Sequence, residues 1–238
     1  MNIKKSVEIF GDSILKGIQI NPNNMRYHVD NNIDIETIEK NNFLQIKNFS
    51  RLGCTITQGI ALIEKRLKGD NSVCDAIIMD YGGNDSDFKW KEIAECPENE
   101  HLPNTPLDVF AETYHKIIRM LKEKGIRPIL TTLPPLSAQK FFNWFCNGLN
   151  KENILKWLGS VEAIYRWQEN YSRVVEKIAD ETNTLLVDLR GAFLKHRRIE
   201  NLMCEDGTHP NTEGQKIITQ AFLDFFKNTK EKEIILFA

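Results

Sequence analysis

Short apolar runs alternate with longer amphipathic stretches along this chain. The run Ala76-Ile77-Ile78-Met79 contains no polar position, which is typical of a strand buried on both faces of a sheet. Five segments predict strands, at residues 6 to 10, 44 to 49, 74 to 81, 127 to 133 and 184 to 189. Four segments with helical periodicity predict helices, at residues 55 to 68, 106 to 124, 160 to 182 and 211 to 228.

The order of these elements indicates the fold class. Parallel strands need crossover connections, so strands that alternate with helices predict a parallel sheet covered by helices on both faces. The helix at residues 106 to 124 has Thr105 as its expected N-cap and Pro106 at its first helical position. Because no repeat or low-complexity linker divides the chain, we expect a single α/β domain over residues 1 to 238.

Two internal segments do not fit the alternation, and the C-terminal segment is also unusual. Residues 18 to 41 are rich in asparagine and predict a loop with short regular structure between the first two strands. Residues 136 to 159 are dense in aromatic residues and follow Pro134-Pro135, and residues 230 to 238 contain an apolar run. The last two segments offer surfaces for self-association. The sequence leaves open whether they instead pack on the body of the protein.

Composition and charge narrow the class of protein. The 238 residues include 31 lysines and arginines against 33 aspartates and glutamates, so the chain offers no broad basic surface for nucleic acid. Five scattered cysteines without a Cys-x-x-Cys pair predict reduced thiols. No segment has the length and apolar character of a membrane span or a signal peptide. We therefore expect a cytoplasmic protein that acts on a small molecule.

Polar and glycine residues follow three of the predicted strands, at the edge where a parallel sheet binds ligands. Ser13 ends a Gly-Asp-Ser turn after the first strand, Gly53 follows the second strand and Asn84 follows the third. Asp206 and His209 precede the last helix, and their loop can reach the same edge. Each residue also has a simpler explanation, since serine and aspartate cap helices while glycine and asparagine form turns.

Taken together, these residues supply the parts of an acyl-transfer site. A serine hydroxyl becomes an effective nucleophile when an imidazole accepts its proton and a carboxylate orients that imidazole. Fixed N–H donors stabilise the oxyanion that forms when an ester carbonyl is attacked. The set therefore provides a nucleophile, a base, an orienting carboxylate and oxyanion donors.

The motifs that carry these residues resemble the four blocks of the SGNH (GDSL-type) hydrolase superfamily. They are FGDS at residues 10 to 13, Gly53 within NFSRLGCT, GGND at residues 82 to 85 and DGTHPN at residues 206 to 211. The resemblance implies a three-layer α/β/α, flavodoxin-like fold with strand order 2-1-3-4-5, and ester hydrolysis without a metal or cofactor. It also implies that Ser13 is the nucleophile, His209 the general base and Asp206 its partner. The implied oxyanion hole consists of Ser13, Gly53 and Asn84.

The sequence says less about the substrate. Trp144 and Phe145 in the aromatic segment are candidates for a substrate pocket, although an aromatic stripe at helical spacing also fits simple packing. We expect a small ester, either an acetylated sugar or a short acyl ester. Acyl transfer to an alcohol instead of water uses the same residues. A non-catalytic module that binds carbohydrate or a partner protein is the alternative from a different class.

Overall fold

A computed structural model describes residues 4–30, 33–69 and 74–231, without the side chains of residues 230 and 231. The strands are β1 (Lys5–Gly11), β2 (Ile18–Ile20), β3 (Tyr27–Val29), β4 (Leu44–Asn48), β5 (Ala76–Asp80), β6 (Arg127–Thr131) and β7 (Leu185–Val187). The helices are α1 (Ser13–Lys16), α2 (Ile35–Asn42), α3 (Ile56–Gly69), α4 (Trp90–Glu95), α5 (Leu107–Glu123), α6 (Ala138–Phe145), α7 (Lys151–Leu158), α8 (Glu162–Thr182), α9 (Leu189–Leu194) and α10 (Thr212–Glu231). Among these described elements, no helix is both long enough and apolar enough to cross a membrane.

The central sheet contains five parallel strands in the order β4-β1-β5-β6-β7. Counted over the five predicted strands, this is the order 2-1-3-4-5, so the predicted α/β fold class is confirmed. Val7 on β1 pairs with Ile46 on one side and Ala76 on the other. Because the strands are parallel, the turns that follow them meet at one edge of the sheet.

Strand β5 shows how helices cover both faces of the sheet. Ile77 and Met79 belong to a core formed with α3, α5 and α8, whereas Ala76 and Ile78 belong to a core formed with α9 and α10. All residues of β5 are buried. The uninterrupted apolar run is therefore explained by a sheet that forms the middle of three layers.

The organisation of residues 1 to 238 as a single domain stays a prediction.

The boundaries of α5, β6 and β7 are among those that differ from the sequence prediction. Helix α5 begins at Leu107 after an extended Pro106, with φ −52° and ψ 148°, so the prediction that Thr105 is its N-cap is wrong. Strand β6 ends before residue 132, two positions earlier than predicted. Strand β7 is short because Asp188 accepts a hydrogen bond from Gly191 N at 2.8 Å and starts helix α9. Side-chain capping ends that strand sooner than its apolar pattern indicates.

The two internal segments that interrupt the alternation contain short regular elements. The described part of residues 18 to 41 forms the antiparallel pair β2 and β3 and the helix α2. Residues 136 to 159 form α6 and α7, which pack with α4 and the start of α8 around a separate aromatic cluster. In this cluster Trp90 stacks on Phe145 with ring centroids 3.9 Å apart. The C-terminal apolar run lies outside the described residues from residue 232 onward, so its role stays a prediction.

Gly59 allows helix α3 to approach the end of β5 closely. A Cβ atom at this position would lie 2.5 Å from Oη and 2.9 Å from Cε1 of Tyr81, whose side chain is fully buried. Only a residue without a side chain fits this contact. Because Tyr81 leads into the turn that carries Asn84, the packing of α3 supports that turn.

We expect Gly59→Ala to lower the free energy of unfolding by about 1–3 kcal/mol, because the added methyl group overpacks the contact with Tyr81. Urea unfolding monitored by circular dichroism measures the change. Gly69→Ala is the matched control at the other end of α3, where a Cβ atom meets nothing within 4 Å. Equal stability of the two variants would contradict the close-packing interpretation.

Candidate active site

Ser13 lies at the sharp turn between β1 and α1. Asp12 is the N-cap of this short helix, and its side chain accepts a hydrogen bond from Ile14 N at 2.8 Å. Gly11 is required in the turn because a Cβ atom there would lie 2.9 Å from the backbone oxygen of Asp80. The turn places Ser13 at the carboxyl edge of the sheet, where it lines a cavity.

His209 and Asp206 reach Ser13 from the loop before α10. His209 Nε2 lies 2.8 Å from Ser13 Oγ, and His209 Nδ1 is hydrogen-bonded to Asp206 Oδ2. The other Asp206 oxygen accepts hydrogen bonds from Thr208 N and His209 N, both at 3.1 Å. Burial acts to raise the pKa of Asp206, but its hydrogen bonds and the charge of His209 outweigh burial and leave the pKa lowered. The ionised carboxylate therefore fixes the imidazole with Nε2 toward the serine.

The aromatic segment supports this loop. Gly207 has a φ of +74°, and a Cβ atom there would lie 2.6 Å from both Ser137 O and Phe141 N. Ser137 N also donates a hydrogen bond to Gly207 O at 2.8 Å. The first turn of α6 therefore packs directly on the loop that carries the histidine and the aspartate.

Asn84 follows β5 through a turn of two glycines. Its Nδ2 atom donates a hydrogen bond to Asp12 Oδ2 at 3.0 Å. Its backbone oxygen accepts a hydrogen bond from Asn104 Nδ2 at 2.9 Å. The first bond joins the turn after β5 to the turn after β1, and both Asn84 and Ser13 line the cavity.

Gly53 lies in the loop between β4 and α3. Its φ of +73° is in the left-handed region, and no atom lies within 4 Å of the place that a Cβ atom would take. Arg51 N donates a hydrogen bond to Gly11 O at 3.0 Å, which ties this loop to the end of β1. Leu52, the preceding residue, lines the cavity. Gly53 itself is not among the described residues that line the cavity.

Buried carboxylates lie beneath these turns. Burial and then the charge of Asp80 raise the pKa of Asp12 well above its ordinary value. Burial also raises the pKa of Asp80 and that of Asp85 to about 6. Asp80 accepts a hydrogen bond from Thr131 Oγ1 at 2.7 Å, and Asp85 accepts one from Ile56 N at 2.9 Å. Because burial opposes ionisation here, the charged forms of these groups lower the stability of the folded protein.

A cavity of about 630 Å³ extends from Ser13 into the space between the turn after β5, the segment after β6 and helices α6 to α8. At its open end lie Ser13, Asn84 and His209, together with the partly exposed Tyr27 and Leu52. Farther in, the wall is mainly aromatic and aliphatic and includes Phe88, Trp90, Phe141, Trp157, Ile164 and Trp167. The hydrogen-bonded serine thus faces an apolar space.

The two predicted pocket residues each lie next to a residue that lines the cavity. Trp144 and Phe145 are not among the described residues that line the cavity, whereas Phe141 on the same helix is. Phe145 stacks on the far side of the wall residue Trp90, and Trp144 lies beside Tyr27 with ring centroids 6.3 Å apart. Helical spacing indicates which residues share a face, but it does not indicate which face meets a cavity.

Several residues of the site are not indicated by any sequence motif. Tyr27 is on β3, and the centroid of its ring lies 5.2 Å from that of His209. Burial and then the charge of Asp206 raise the pKa of Tyr27 to about 12. Phe88 follows the GGND block by a few positions, and this proximity to Asn84 was the signal that could have found it.

In the described part of the chain, neither a metal-binding cluster nor a reactive cysteine offers an alternative to Ser13 as the centre of the site. There, no group of three or more histidine, cysteine, aspartate and glutamate side chains is arranged to hold a metal ion. Cys54 is a buried free cysteine next to Gly53, and burial raises its pKa. A protonated, buried thiol is a poor nucleophile, so Ser13 is the better-placed group.

The comparisons with known proteins agree with this fold and these motifs. A model of the GDSL-like lipase/acylhydrolase family matches residues 9–217, and the chain therefore belongs to this family. Rice (Oryza sativa subsp. japonica) GDSL esterase/lipase WDL1 is 26% identical over 187 residues, which cover 75% of this chain and 64% of the rice protein. An acetylxylan esterase from Geobacillus stearothermophilus is 39% identical over 62 residues, which are 24% of this chain and 27% of that protein. The chain thus spans less than two thirds of either relative.

Solved structures share the fold at low sequence identity. The lipase/acylhydrolase from Enterococcus faecalis superposes with a TM-score of 0.63 at 15% identity, covering 96% of both chains. The acetylxylan esterase from Geobacillus stearothermophilus superposes with a TM-score of 0.63 at 21% identity, covering 95% of this chain and 96% of the other. At these identities the likeness extends to the fold and not to the substrate.

We expect Asp80→Asn to remove part of the pH dependence of stability. Between the ordinary pKa of 3.8 and the folded value of about 6, the folded protein binds more protons than the unfolded chain at this group. Its contribution to stability therefore falls as pH rises through that window. Relative to wild type, the variant should gain about 1–3 kcal/mol in free energy of unfolding from about pH 4 to about pH 7.

Urea unfolding at several pH values measures this difference. Asp224→Asn, at an exposed site on α10, is the matched control. If the free energy of unfolding changed with pH in the same way for wild type and Asp80→Asn, ionisation of this buried carboxyl would not destabilise the folded protein.

Proposed function

We propose that the protein is a serine esterase that hydrolyses carboxylic esters through an acyl-enzyme on Ser13. The observation that carries this proposal is the hydrogen-bonded chain from Asp206 through His209 to Ser13 at the open end of an apolar cavity. Membership of the GDSL-like lipase/acylhydrolase family supports it. The short distance between His209 Nε2 and Ser13 Oγ, 2.8 Å, also favours a catalytic protein over a silent binding module.

In the first half of the reaction, Ser13 Oγ attacks the ester carbonyl carbon while His209 Nε2 takes the hydroxyl proton. Asp206 holds the imidazole in the required tautomer and stabilises its positive charge. The carbonyl oxygen becomes an oxyanion that accepts hydrogen bonds from Ser13 N, Gly53 N and the Asn84 amide. When the tetrahedral intermediate collapses, the alcohol leaves with the proton from His209.

In the second half, a water molecule repeats the attack on the acyl-enzyme. His209 removes a proton from the water, and the new oxyanion occupies the same donors. Collapse of this intermediate returns the proton to Ser13 Oγ and releases the carboxylic acid. Transfer to another alcohol follows the same steps with that alcohol in place of water, so the added acceptor decides between the two activities.

Acetate esters are the first substrates to test. The Geobacillus stearothermophilus relative is named as an acetylxylan esterase, and an acetyl group needs little space beside Ser13. Short acyl esters are the second class. Both need only the groups that surround Ser13, so they test the chemistry independently of the rest of the cavity.

We expect purified protein to hydrolyse p-nitrophenyl acetate and Ser13→Ala to lower kcat by about 10⁴-fold or more, because no other group replaces the nucleophile. Release of p-nitrophenolate at neutral pH, with a chelator present, measures the rate. Ser6→Ala, at the start of β1, the strand that precedes Ser13, is the matched control. Retention of full activity by Ser13→Ala would show that Ser13 is not the nucleophile.

We expect Asn84→Ala to lower kcat by about 10²–10³-fold with a much smaller change in KM, because the amide contacts the oxyanion only in the transition state. Asn143→Ala on the exposed face of α6 is the control. Steady-state kinetics on the same ester separate the two parameters. A rise in KM at constant kcat would instead assign Asn84 to ground-state binding of the ester.

A further inference from the structure

The cavity beside Ser13 is much larger than an acetyl group requires. Its volume of about 630 Å³ is in the range of cavities that bind whole organic ligands. It extends past the catalytic residues to Trp157 on α7 and to Ala163 and Trp167 on α8. An acetyl group on Ser13 leaves most of this space unfilled.

The wall of the cavity consists largely of aromatic rings that pack on one another. The ring of Phe88 lies 5.0 Å from that of Trp157 and 5.6 Å from that of Trp167, measured between centroids. Trp90 lies 6.3 Å from Trp157 and stacks on the ring behind it. Interlocked rings of this kind keep their positions, so the apolar space is largely formed before a ligand enters.

The polar groups in the wall are mostly engaged with the protein itself. Asp87 Oδ1 accepts a hydrogen bond from Trp90 Nε1 at 2.8 Å. Gln168 donates to Pro134 O at 2.8 Å and accepts from Arg190 Nη1 at 3.0 Å. Trp167 Nε1 and Asp80 Oδ2 are buried without a hydrogen-bond partner. A sugar ring would need more free donors and acceptors than these for its hydroxyl groups.

The charges of the wall also restrict the ligand. Asp12, Asp80 and Asp87 line the cavity, and no lysine or arginine does so among the residues that the structure describes. A carboxylate or phosphate there would therefore be buried without a lysine or arginine partner. Both the shape and the chemistry of the space fit an uncharged hydrocarbon group.

We infer that the cavity binds a medium-chain acyl group, of about the size of octanoyl, while that group is attached to Ser13. This inference rests on the proposed esterase function. The acyl group remains on the serine through both halves of the reaction, whereas the alcohol must take a proton from His209 and leave. The exposed side of the site, where Tyr27 is 43% and Leu52 is 55% exposed, gives the alcohol its exit.

Two isomeric esters test which side of the substrate enters the cavity. Ethyl octanoate carries the long chain on the acyl side, and octyl acetate carries it on the alcohol side. Because each buried methylene contributes to binding, we expect kcat/KM to be at least about tenfold higher for ethyl octanoate, measured by pH-stat titration below the solubility limit. Equal values, or a preference for octyl acetate, would overturn the inference.

A variant that fills the cavity tests its location. Ala163 lines the wall on α8, and Ala163→Phe should reduce the octanoate-to-acetate ratio of kcat/KM for p-nitrophenyl esters by at least about tenfold. Ala61→Phe, at an exposed alanine on α3, is the matched control and should leave that ratio at the wild-type value. An unchanged ratio in Ala163→Phe, with the wild-type circular dichroism spectrum retained, would place the chain elsewhere.

A binding measurement separates this inference from the proposed reaction. Octanamide titrated into Ser13→Ala should change the tryptophan fluorescence saturably, because Trp90, Trp157 and Trp167 line the space, and acetamide should not. Hydrolysis of acetate esters without octanamide binding would leave the esterase in place and overturn the acyl-chain inference. Absence of Ser13-dependent hydrolysis for every ester would overturn the proposed function and the acyl-chain inference with it.

Discussion

The geometry of the site depends on one buried carboxylate, that of Asp12. It accepts hydrogen bonds from Ile14 N, at the start of α1, and from the Asn84 side chain, in the turn after β5. These bonds set the position of Ser13 relative to Asn84. The two residues follow the neighbouring strands β1 and β5 and are distant in sequence. Burial and Asp80 both disfavour its negative charge, and the two hydrogen bonds oppose them. The group that joins the two turns is therefore one whose ionisation is opposed by its own burial.

The sequence predicts the framework of this protein better than the walls of its site. The apolar run of β5 and the periodicity of α5 follow from burial, which leaves a direct pattern in the chain. The motifs around Ser13 and His209 also indicate which residues come together, and the structure places these two within hydrogen-bonding distance. Trp167 enters the cavity through tertiary packing between remote segments, which no local pattern records.

The aromatic segment links two parts of the site that sequence motifs treat separately. Its first helix packs on Gly207, next to the histidine and the aspartate, while Phe141 and Trp157 form part of the cavity wall. The side chain of Lys140 also donates a hydrogen bond to Met203 O at 3.2 Å, at the start of the same loop. Support for the loop of His209 and Asp206 and part of the cavity wall thus come from one segment, residues 136 to 159.

The contact at Gly207 has a consequence for engineering and for divergence within the family. If the aromatic segment only lined the cavity, it could be replaced by the corresponding segment of a relative. The relative's preference for acyl-chain length would then be transferred with it. Here the grafted helix must also leave room for the backbone at Gly207 and preserve the hydrogen bond from Ser137 N. A chimera should therefore keep this protein's own sequence through Phe141 and take the rest of the aromatic segment from the relative.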